Sequence, residues 1–439
     1  MKLKHVKKLI QCTLVLFGLM SMQKATAFFQ DTTQEQTTSF NIYKGEIIDS
    51  EKKKPLVFAT LSIENSNVST ITNTEGEFSL KVPKNSNANT IIISFLGYKT
   101  KKLAISELSE KKNVILMTAS VTELASVDIT VPKNAYTLVE ETLAKKGQNY
   151  FDDPTLMTGF YRETIKKRRR NVSLSEAVVN IYKTPYDSKQ KDAVELYKAR
   201  KSTDYSKLDT IAFKLQGGPF NALFVDIMKY PEYIFTKESI KDYTFSFNRS
   251  TRVDGKLIYI IDFNQRKNII DPLYKGKLYI DAENKILTSA IYSLNIIDRE
   301  SAAKLFVRKK PKKAKVWPTE VAYRVDYREK NDKWYYGYSN VLLEFKINWD
   351  KKLFNSVYSM SCEMAITDWE KNLTNALPKS RERMKSSIIL NDEAIGFTDP
   401  DFWGEYNIIE PEKSIESAIK KIKRQLKKAN NKKTGTPTP

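Results

Sequence analysis

The sequence predicts a mainly β protein: a small N-terminal β-sandwich, then a larger curved antiparallel β-sheet domain with a few helices and a basic C-terminal helix. Short β-rich runs alternate with turn residues between residues 40 and 119, as in a sandwich. Longer runs of strict alternation follow, and one carries Val321, Tyr323 and Val325 on its apolar side. Long strands with one apolar face imply a sheet that curves over a core or over a ligand.

Residues 1–27 have the pattern of a cleaved secretory signal peptide. Lysines begin it, a short apolar core spans residues 9–22, and small residues end it at Ala27. That core is shorter than the roughly 20 residues of a bilayer span. Cys12 lacks the small preceding residue of a lipid-attachment signal. We therefore expect an exported protein, periplasmic or associated with the outer membrane, that begins at Phe28.

Two scarce residue types limit the chemistry. The only histidine, His5, lies in the predicted signal, and Cys362 is the single cysteine beyond it. The remaining chain lacks the usual general base and the commonest zinc ligand, which argues against triad hydrolases and most zinc enzymes. Cys362 lies on the inward side of an alternating run, so we expect a buried, unreactive thiol and no intramolecular disulfide. We predict a non-enzymatic protein with no cofactor and no metal.

Beyond the predicted signal, the chain up to residue 155 divides into three predicted parts. Residues 28–39 are rich in Thr and Gln and indicate a flexible leader. The sandwich takes residues 40–119, and a linker with a helix over residues 134–149 takes residues 120–155. The strands expected in the sandwich are residues 40–48, 56–63, 76–82, 90–95 and 113–117.

One stretch resembles the carboxypeptidase regulatory-like domain, a transthyretin-like sandwich common in envelope proteins of Gram-negative bacteria. It reads GEIIDSEKKKPLVFATLSIENSNVSTITNTEGEFSLKVP and resumes as IIISFLGYKTKKLAI. Its landmarks have structural roles; Gly76, for example, permits a turn with positive φ. The matching residues are Gly45, Asp49, Pro55, Leu56, Ala59, Thr72, Asn73, Gly76, Phe78, Pro83, Ser94, Gly97 and Tyr98. The resemblance implies a non-catalytic appendage without the peptidase that gives the domain its name.

The larger sheet domain is expected over residues 156–370, followed by an extended segment over residues 371–410. Asp254-Gly255 and Glu283-Asn284 lie between strong strands, as hairpin turns do. The stretch GKLIYIIDFNQRKNIIDPLYKGKLYIDAENKILTSAIYSLN resembles, in strands and turns, the sheets of outer-membrane lipoprotein carriers. Apolar residues near the end of the extended segment predict an anchor to the body: Phe402, Trp403, Tyr406, Ile408 and Ile409.

Carboxylates are the remaining candidates for catalysis, because glycosidases need only two at a suitable separation. Glu163 and Glu176 fall on predicted strands, where we expect their charges to face solvent. The other candidates are Asp262, Asp271 and Asp281. A carboxylate-dependent hydrolase stays an alternative, which two acids converging in an open cleft would support.

Basic residues are concentrated in three segments. Without the five lysines of residues 1–27 the chain has 68 basic and 52 acidic residues, a net +16. Residues 166–170 carry +5, residues 308–315 carry +6 and residues 411–439 carry +7. We interpret the first two as solvated hairpin tips, where Pro311 and Pro318 discourage a continuous strand. No nucleic-acid motif accompanies them, so we expect no nucleic-acid partner.

The tail, residues 411–439, predicts a basic amphipathic helix, because Ile415, Ile419, Ile422 and Leu426 form one apolar stripe. Such a helix either contacts an anionic membrane surface or packs on its own sheet. The residues predicted to contact an anionic surface are Lys420, Lys421, Lys423, Arg424, Lys427 and Lys428.

These patterns favour an exported cell-envelope protein with a binding or structural role, whose partner is an envelope protein, a lipid or a polymer. A carrier of lipid or lipoprotein in the periplasm is the first alternative, which a continuous apolar cavity under the sheet would support. The carboxylate hydrolase is the second.

The signal makes a direct prediction about mass. We expect native protein to begin at Phe28 and to carry no lipid, because the segment before it has a cleavage site and no lipid-attachment signal. Intact-mass spectrometry measures this. A diacylated species, or one that retains residues 1–27, would contradict it.

Overall fold

The computed structural model describes residues 40–84, 86–110, 112–120, 134–168, 170–203, 215–253, 255–307, 310–350, 353–396 and 402–412. The predicted signal, the leader and residues 413–439 lie outside these ranges. The proposed lysine and arginine contacts of the tail, from Lys420 to Lys428, therefore stay a prediction.

The N-terminal domain is a two-sheet sandwich. Its strands are β1 (Phe40–Asp49), β2 (Thr60–Ile63), β3 (Ser69–Ile71), β4 (Glu77–Pro83), β5 (Thr90–Ser94), β6 (Lys101–Ala104) and β7 (Asn113–Met117). One sheet has the order β4-β1-β7, with β1 and β7 parallel, and the other has the order β3-β2-β5-β6. Alternating residues such as Ile47, Leu61 and Ile93 point between the sheets and are fully buried. This confirms the mainly β class and the sandwich.

Two strands and one boundary differ from the prediction. β3 and β6 have only three and four residues, too short for alternation to identify them. β2 begins at Thr60 rather than at residue 56, because Phe58 adopts a positive φ of 66° that interrupts an extended strand.

The second domain is built on one 11-stranded sheet. Its strands are β8 (Thr155–Lys167), β9 (Arg170–Lys183), β10 (Ala193–Thr203), β11 (Tyr243–Val253), β12 (Lys256–Gln265), β13 (Tyr274–Asp281), β14 (Ile286–Leu294), β15 (Ala314–Lys330), β16 (Lys333–Trp349), β17 (Ser356–Lys371) and β18 (Ile395–Gly396). Their order is β11-β12-β13-β14-β15-β16-β17-β8-β9-β10-β18. Neighbours are antiparallel except β10 and β18. The predicted turns at Gly255 and at Glu283-Asn284 join β11 to β12 and β13 to β14.

Helices are few and short. They are α1 (Ala135–Ala144), α2 (Lys146–Asn149), α3 (Phe220–Leu223), α4 (Arg299–Phe306) and α5 (Leu390–Glu393), with 3-10 turns at Ile105–Glu107, Pro231–Tyr233 and Ser239–Asp242. The predicted helix over residues 134–149 is therefore interrupted at Lys145. Asn134 caps α1 by accepting a hydrogen bond from the Tyr136 backbone N–H.

The central strands of the large sheet are buried on both faces. Its inner face packs against α1, α3 and the chain between residues 215 and 242, in a core rich in tyrosine. Its outer face carries Phe160, Val178 and Tyr338, which pack against Trp403 and Ile409. Residues 402–412 thus contact the body as their apolar character predicted. Cys362 is buried as predicted, and burial raises the pKa of its thiol to about 12.

The prediction for the two basic segments of the sheet was half right. Lys167 pairs with Arg170, so residues 166–170 do form a hairpin tip, with Arg168 at a φ of 56°. The described part of the second segment, residues 310–315, instead leads from the connection after α4 into β15 and is not a tight hairpin tip. Pro318 lies inside β15 at an irregularity of its pairing, where its missing N–H removes no regular ladder bond. Among the described residues, no helix is long and apolar enough to cross a bilayer.

A substitution at Gly76 tests how far the stability of the sandwich depends on the turn before β4. The φ of Gly76 is 75°, and a Cβ there would lie 2.9 Å from both the Ile47 carbonyl oxygen and the Pro55 Cβ. We expect Gly76→Val to lower the free energy of unfolding by about 1–3 kcal/mol from backbone strain, and further through these contacts. Denaturant unfolding of the whole protein measures the loss.

Gly97→Val is the matched control. Gly97 has a φ of 85°, but nothing lies within 4 Å of its Cβ position. The Gly97→Val variant should lose unfolding free energy from backbone strain alone, without the close contacts found at Gly76. Equal losses in the two variants would show that the contacts at Gly76 do not matter.

Candidate functional site

The sandwich sits on the outer face of the large sheet through specific hydrogen bonds. Ser69 Oγ donates to the Ile366 carbonyl at 3.1 Å, and Asn67 Nδ2 donates to the Trp369 carbonyl at 2.7 Å. From the sheet, Lys330 Nζ donates to the Ser66 carbonyl at 2.9 Å. These bonds attach β3 and the loop before it to β15 and β17.

Beside this contact the two domains leave a groove of about 460 Å³. One wall is the β2 and β5 side of the sandwich, including Ser62, Ser94 and Phe95. The other is the outer face of β12, β14, β15 and the start of β16. We name this the interdomain groove. Its size lies within the usual range for small-molecule sites, which often occur where domains meet.

Arg324 and Asp326 lie side by side on β15 in the groove wall. The Arg324 Nε donates to Asp326 at 2.7 Å, and its guanidinium lies 5.4 Å from the Phe58 ring centre. Burial alone would lower the pKa of Arg324, but Asp326 outweighs it and the pKa is raised. Ser289 Oγ donates to the second Asp326 oxygen at 2.5 Å. A charged pair and aromatic rings therefore share one wall.

Arg328, two residues further along β15, has a different set of partners. Its Nη1 donates to Ser69 Oγ at 2.7 Å and to the Ile366 carbonyl at 2.8 Å, both uncharged. Its Nη2 is buried without a hydrogen-bond partner among the described atoms. Burial lowers the pKa of this guanidinium. Arg328 thus differs from Arg324, because the hydrogen-bond partners of its Nη1 are neutral.

A C-terminal segment, residues 402–412, fastens the sandwich on its other side. Asn407 exchanges two hydrogen bonds with the Lys81 backbone, at 2.8 and 3.3 Å. Thr70 Oγ1 donates to the Ile408 carbonyl at 3.0 Å. The segment therefore lies between the sandwich and the sheet and contacts both.

Beneath this segment lies a network of buried charges on the outer face of the sheet. Arg162 Nε donates to Glu176 at 2.8 Å, and Arg200 Nη2 lies 2.7 Å from the other Glu176 oxygen. Arg162 also reaches Glu363 at 3.2 Å and the Ile409 carbonyl at 2.6 Å. Burial alone would raise the pKa of Glu176, but the two guanidinium groups lower it. The Arg200 guanidinium lies 4.7 Å from the Trp403 ring centre.

The five candidate carboxylates are not brought together. Glu163 and Glu176 are both buried, so the expectation that they face solvent was wrong. Arg162 pairs with Glu176 and Glu163 with Ser175, which places the two acids on opposite faces of the sheet. Glu163 and Glu176 are buried because both faces of these central strands are covered, so a charged side chain on either face is shielded from solvent.

The three aspartates have separate local roles. Asp262 pairs with Lys277 at 3.0 Å on the sheet surface. Asp281 is buried and accepts hydrogen bonds from the backbone N–H groups of the turn after β13. Asp271 lies exposed in a loop. No pair among the five shares an open cleft in the described structure.

A second buried charge cluster lies on the inner face and was not anticipated from the sequence. Lys183 Nζ lies 2.8 Å from both Asp192 and Asp226. Tyr230 donates to Asp192 at 2.7 Å, and Tyr327 donates to Asp226 at 3.0 Å. Burial alone would lower the pKa of Lys183, but the two carboxylates raise it. Each of these three charged side chains has hydrogen-bond partners, as in a structural polar core.

Arg324, Asp326 and Arg328 alternate with the apolar residues Tyr323 and Val325 of the same run, but the sequence alone indicated no site there. Their alternation indicates a shared face. It cannot show that a second domain covers that face. The one feature of the sequence that could have pointed to this site was a row of arginines on the outward side of a strand, in a chain that also carries a regulatory-like sandwich. Among the described residues, no cluster of three His, Cys, Asp or Glu side chains is arranged to hold a metal ion.

Comparison with known proteins identifies the N-terminal domain. Residues 43–129 match the model of the CarboxypepD_reg-like domain family. The sandwich is therefore a carboxypeptidase regulatory-like domain, as the sequence resemblance indicated. No curated protein matches the chain.

Solved structures resemble the chain only distantly. A putative outer membrane lipoprotein-sorting protein domain from Vibrio parahaemolyticus is 12% identical over 56% of this chain and 94% of its own, with a TM-score of 0.25. A DUF1329 family protein from Desulfovibrio piger is 9% identical over 58% and 98%, with a TM-score of 0.24. MucB is 10% identical over 53% and 92%, with a TM-score of 0.19. Similarity at these TM-scores carries no argument about function.

The buried carboxyl of Glu163 makes the stability of the protein depend on pH. Burial raises its pKa from an ordinary 4.5 to about 7, although Tyr161 donates a hydrogen bond to it at 3.0 Å. The Glu163 carboxyl group binds its proton more tightly in the folded state than in the unfolded state. Its protonation therefore stabilises the fold fully below about pH 4.5, and this stabilisation is lost as pH rises through about 7. The loss corresponds to roughly 3 kcal/mol.

We expect Glu163→Gln to remove this dependence. The difference in unfolding free energy between variant and wild type should move in favour of the variant between pH 4.5 and 7. Denaturant unfolding across that range measures it. A constant difference would contradict the raised pKa. Asp262→Asn, at a surface ion pair, is the control and should show no comparable change.

Proposed function

We propose that this chain is a non-enzymatic, exported cell-envelope protein that binds a ligand in the interdomain groove. The groove itself carries the proposal: it is large enough for a ligand and lies where two domains meet. Its walls combine aromatic rings, hydroxyl groups and guanidinium groups. An envelope polymer, which is rich in hydroxyl and amide groups, would find partners for each of these.

The distribution of acids supports a binding role over a hydrolytic one. General acid and base catalysis needs two groups that reach the same substrate. Here Glu176 is engaged by two guanidinium groups, Glu163 lies on the opposite face, and Asp281 caps a turn. None of these candidates lines the groove.

Transport of lipid or lipoprotein is the alternative form of the proposal, and one observation favours it. The groove has an apolar part, formed by Ile92, Phe95, Leu96 and Ile258, which would accept an acyl chain. The described inner face of the sheet is packed with tyrosine and aliphatic side chains instead. A carried lipid would therefore lie in the groove rather than under the sheet.

A blocking substitution tests the groove. Ser94 is exposed in the groove wall on β5, so Ser94→Trp would fill the space without removing a buried contact. The probes are soluble peptidoglycan fragments for the polymer and a short-chain phosphatidylglycerol for the lipid. We expect at least one to bind in isothermal titration calorimetry, and Ser94→Trp to weaken binding by about tenfold or more.

The matched control is Val114→Trp. Val114 is 55% exposed on β7, in the other sheet of the same domain. Binding should survive this change. Unchanged binding by Ser94→Trp, or no binding of either probe to wild-type protein, would refute the groove as the site. The probe that binds decides between the polymer and the lipid.

A further inference from the structure

One end of the large sheet brings together two segments that lie far apart in sequence. The order β15-β16-β17-β8-β9 is contiguous, and at this end Ala314 pairs with Trp349 and Lys167 pairs with Arg170. The Arg168 backbone N–H donates to the Val357 carbonyl at 2.9 Å. Both basic segments of the sheet domain therefore lie beside the turn between β16 and β17.

That turn exposes large apolar side chains. Leu353 is 96% exposed and Phe354 is 79% exposed. The neighbouring α4 adds Leu305, 57% exposed, while its Phe306 packs on Phe345 of β16 at 6.2 Å. Leu353 and Phe354 are adjacent in the chain, and large apolar side chains this exposed mark an interaction surface.

Exposed cations flank the turn on both sides. Lys312 and Lys313 precede β15, Lys315 is its second residue, and Arg168 and Arg170 lie at the β8–β9 tip. The described acids nearby are Asp350, in the turn, and Glu412, which is 3.6 Å from Lys166. The surface is therefore strongly positive around an apolar centre.

We propose that this end of the sheet, which we name the apolar–basic tip, docks on the surface of an anionic lipid bilayer. Leucine and phenylalanine enter the boundary between head groups and acyl chains, and the surrounding cations contact anionic head groups. A nucleic acid would satisfy the cations but would leave Leu353 and Phe354 in water. Charge complementarity and the apolar centre together select the bilayer.

Docking there would orient the rest of the molecule. The tip lies at the first residues of β15, and the groove residues Arg324 and Arg328 lie further along the same strand. At about 3.3 Å per residue, the groove would stand roughly 30–50 Å from the bilayer surface. The inference is independent of what the groove binds, and of the basic tail.

Co-sedimentation with vesicles tests the proposal on the whole protein beginning at Phe28. The probes are vesicles of phosphatidylglycerol in phosphatidylcholine, and of phosphatidylcholine alone. We expect binding to the anionic vesicles that weakens with salt. Replacing Lys312, Lys313 and Lys315 by Gln should weaken it roughly fivefold per charge at low salt. Leu353→Ser with Phe354→Ser should weaken it at least tenfold at any salt concentration.

The matched control variants carry the same types of substitution at sites away from the tip. In the first control, Gln replaces Lys52, Lys53 and Lys54, which are exposed in a sandwich turn. In the second, Ser replaces Leu373 and Leu377, which are 83% and 57% exposed beyond the opposite end of β17. These variants should bind like wild type. If tip variants bind as well as their controls, or wild-type protein does not bind, the proposal is wrong.

An environment-sensitive fluorophore gives a direct readout. Cys362 is buried, so an added cysteine is the accessible thiol for labelling. A nitrobenzoxadiazole label on Phe354→Cys should shift to shorter wavelength on anionic vesicles, while the same label on Leu373→Cys should not. Equal shifts at both positions, or a shift at neither, would refute insertion of the tip.

Discussion

The buried contact between Arg162 and Glu176 is the interaction on which the outer face of this protein depends. Both side chains are almost inaccessible to solvent, and the guanidinium also reaches Glu363 and the Ile409 carbonyl. Burying charges costs several kcal/mol each unless every donor and acceptor is matched, and losing one partner of such a pair typically costs about 3–5 kcal/mol. The network therefore requires the C-terminal segment in place, because only that segment supplies the carbonyl and covers the charges.

The position of the sandwich follows from that requirement. The C-terminal segment contacts β3 and β4 on one side, and Arg328 and Lys330 contact the loop and strand around β3 on the other. Two independent sets of hydrogen bonds thus hold a small domain against a large sheet. The groove exists because the sandwich touches the sheet along one margin and diverges from it along the next.

The charged side chains fall into two groups: those that are buried and paired within the fold, and those that face solvent. Lys183 and Glu176 are each engaged by two partners of opposite charge, so neither has free capacity for chemistry. Arg328 has only neutral partners, and the lysines and arginines at the apolar–basic tip face solvent. The two buried charge clusters are therefore structural, whereas the cations at the apolar–basic tip are accessible to a partner.

The sequence by itself determined the β class, the sandwich, the hairpin turns, the buried Cys362 and the apolar character of residues 402–412, because alternation and turn chemistry act over a few neighbouring residues. It could not show that Glu163 and Glu176 are buried, since strand charges normally face solvent and only the cover on both faces of β8 and β9 decides otherwise. Nor could it place the β8–β9 tip and residues 310–315 at the same end of the sheet, on either side of β16 and β17, because the strand order decides this. The groove and the apolar–basic tip were decided by tertiary structure alone, because each is formed by residues that lie far apart along the chain and meet only through long-range packing.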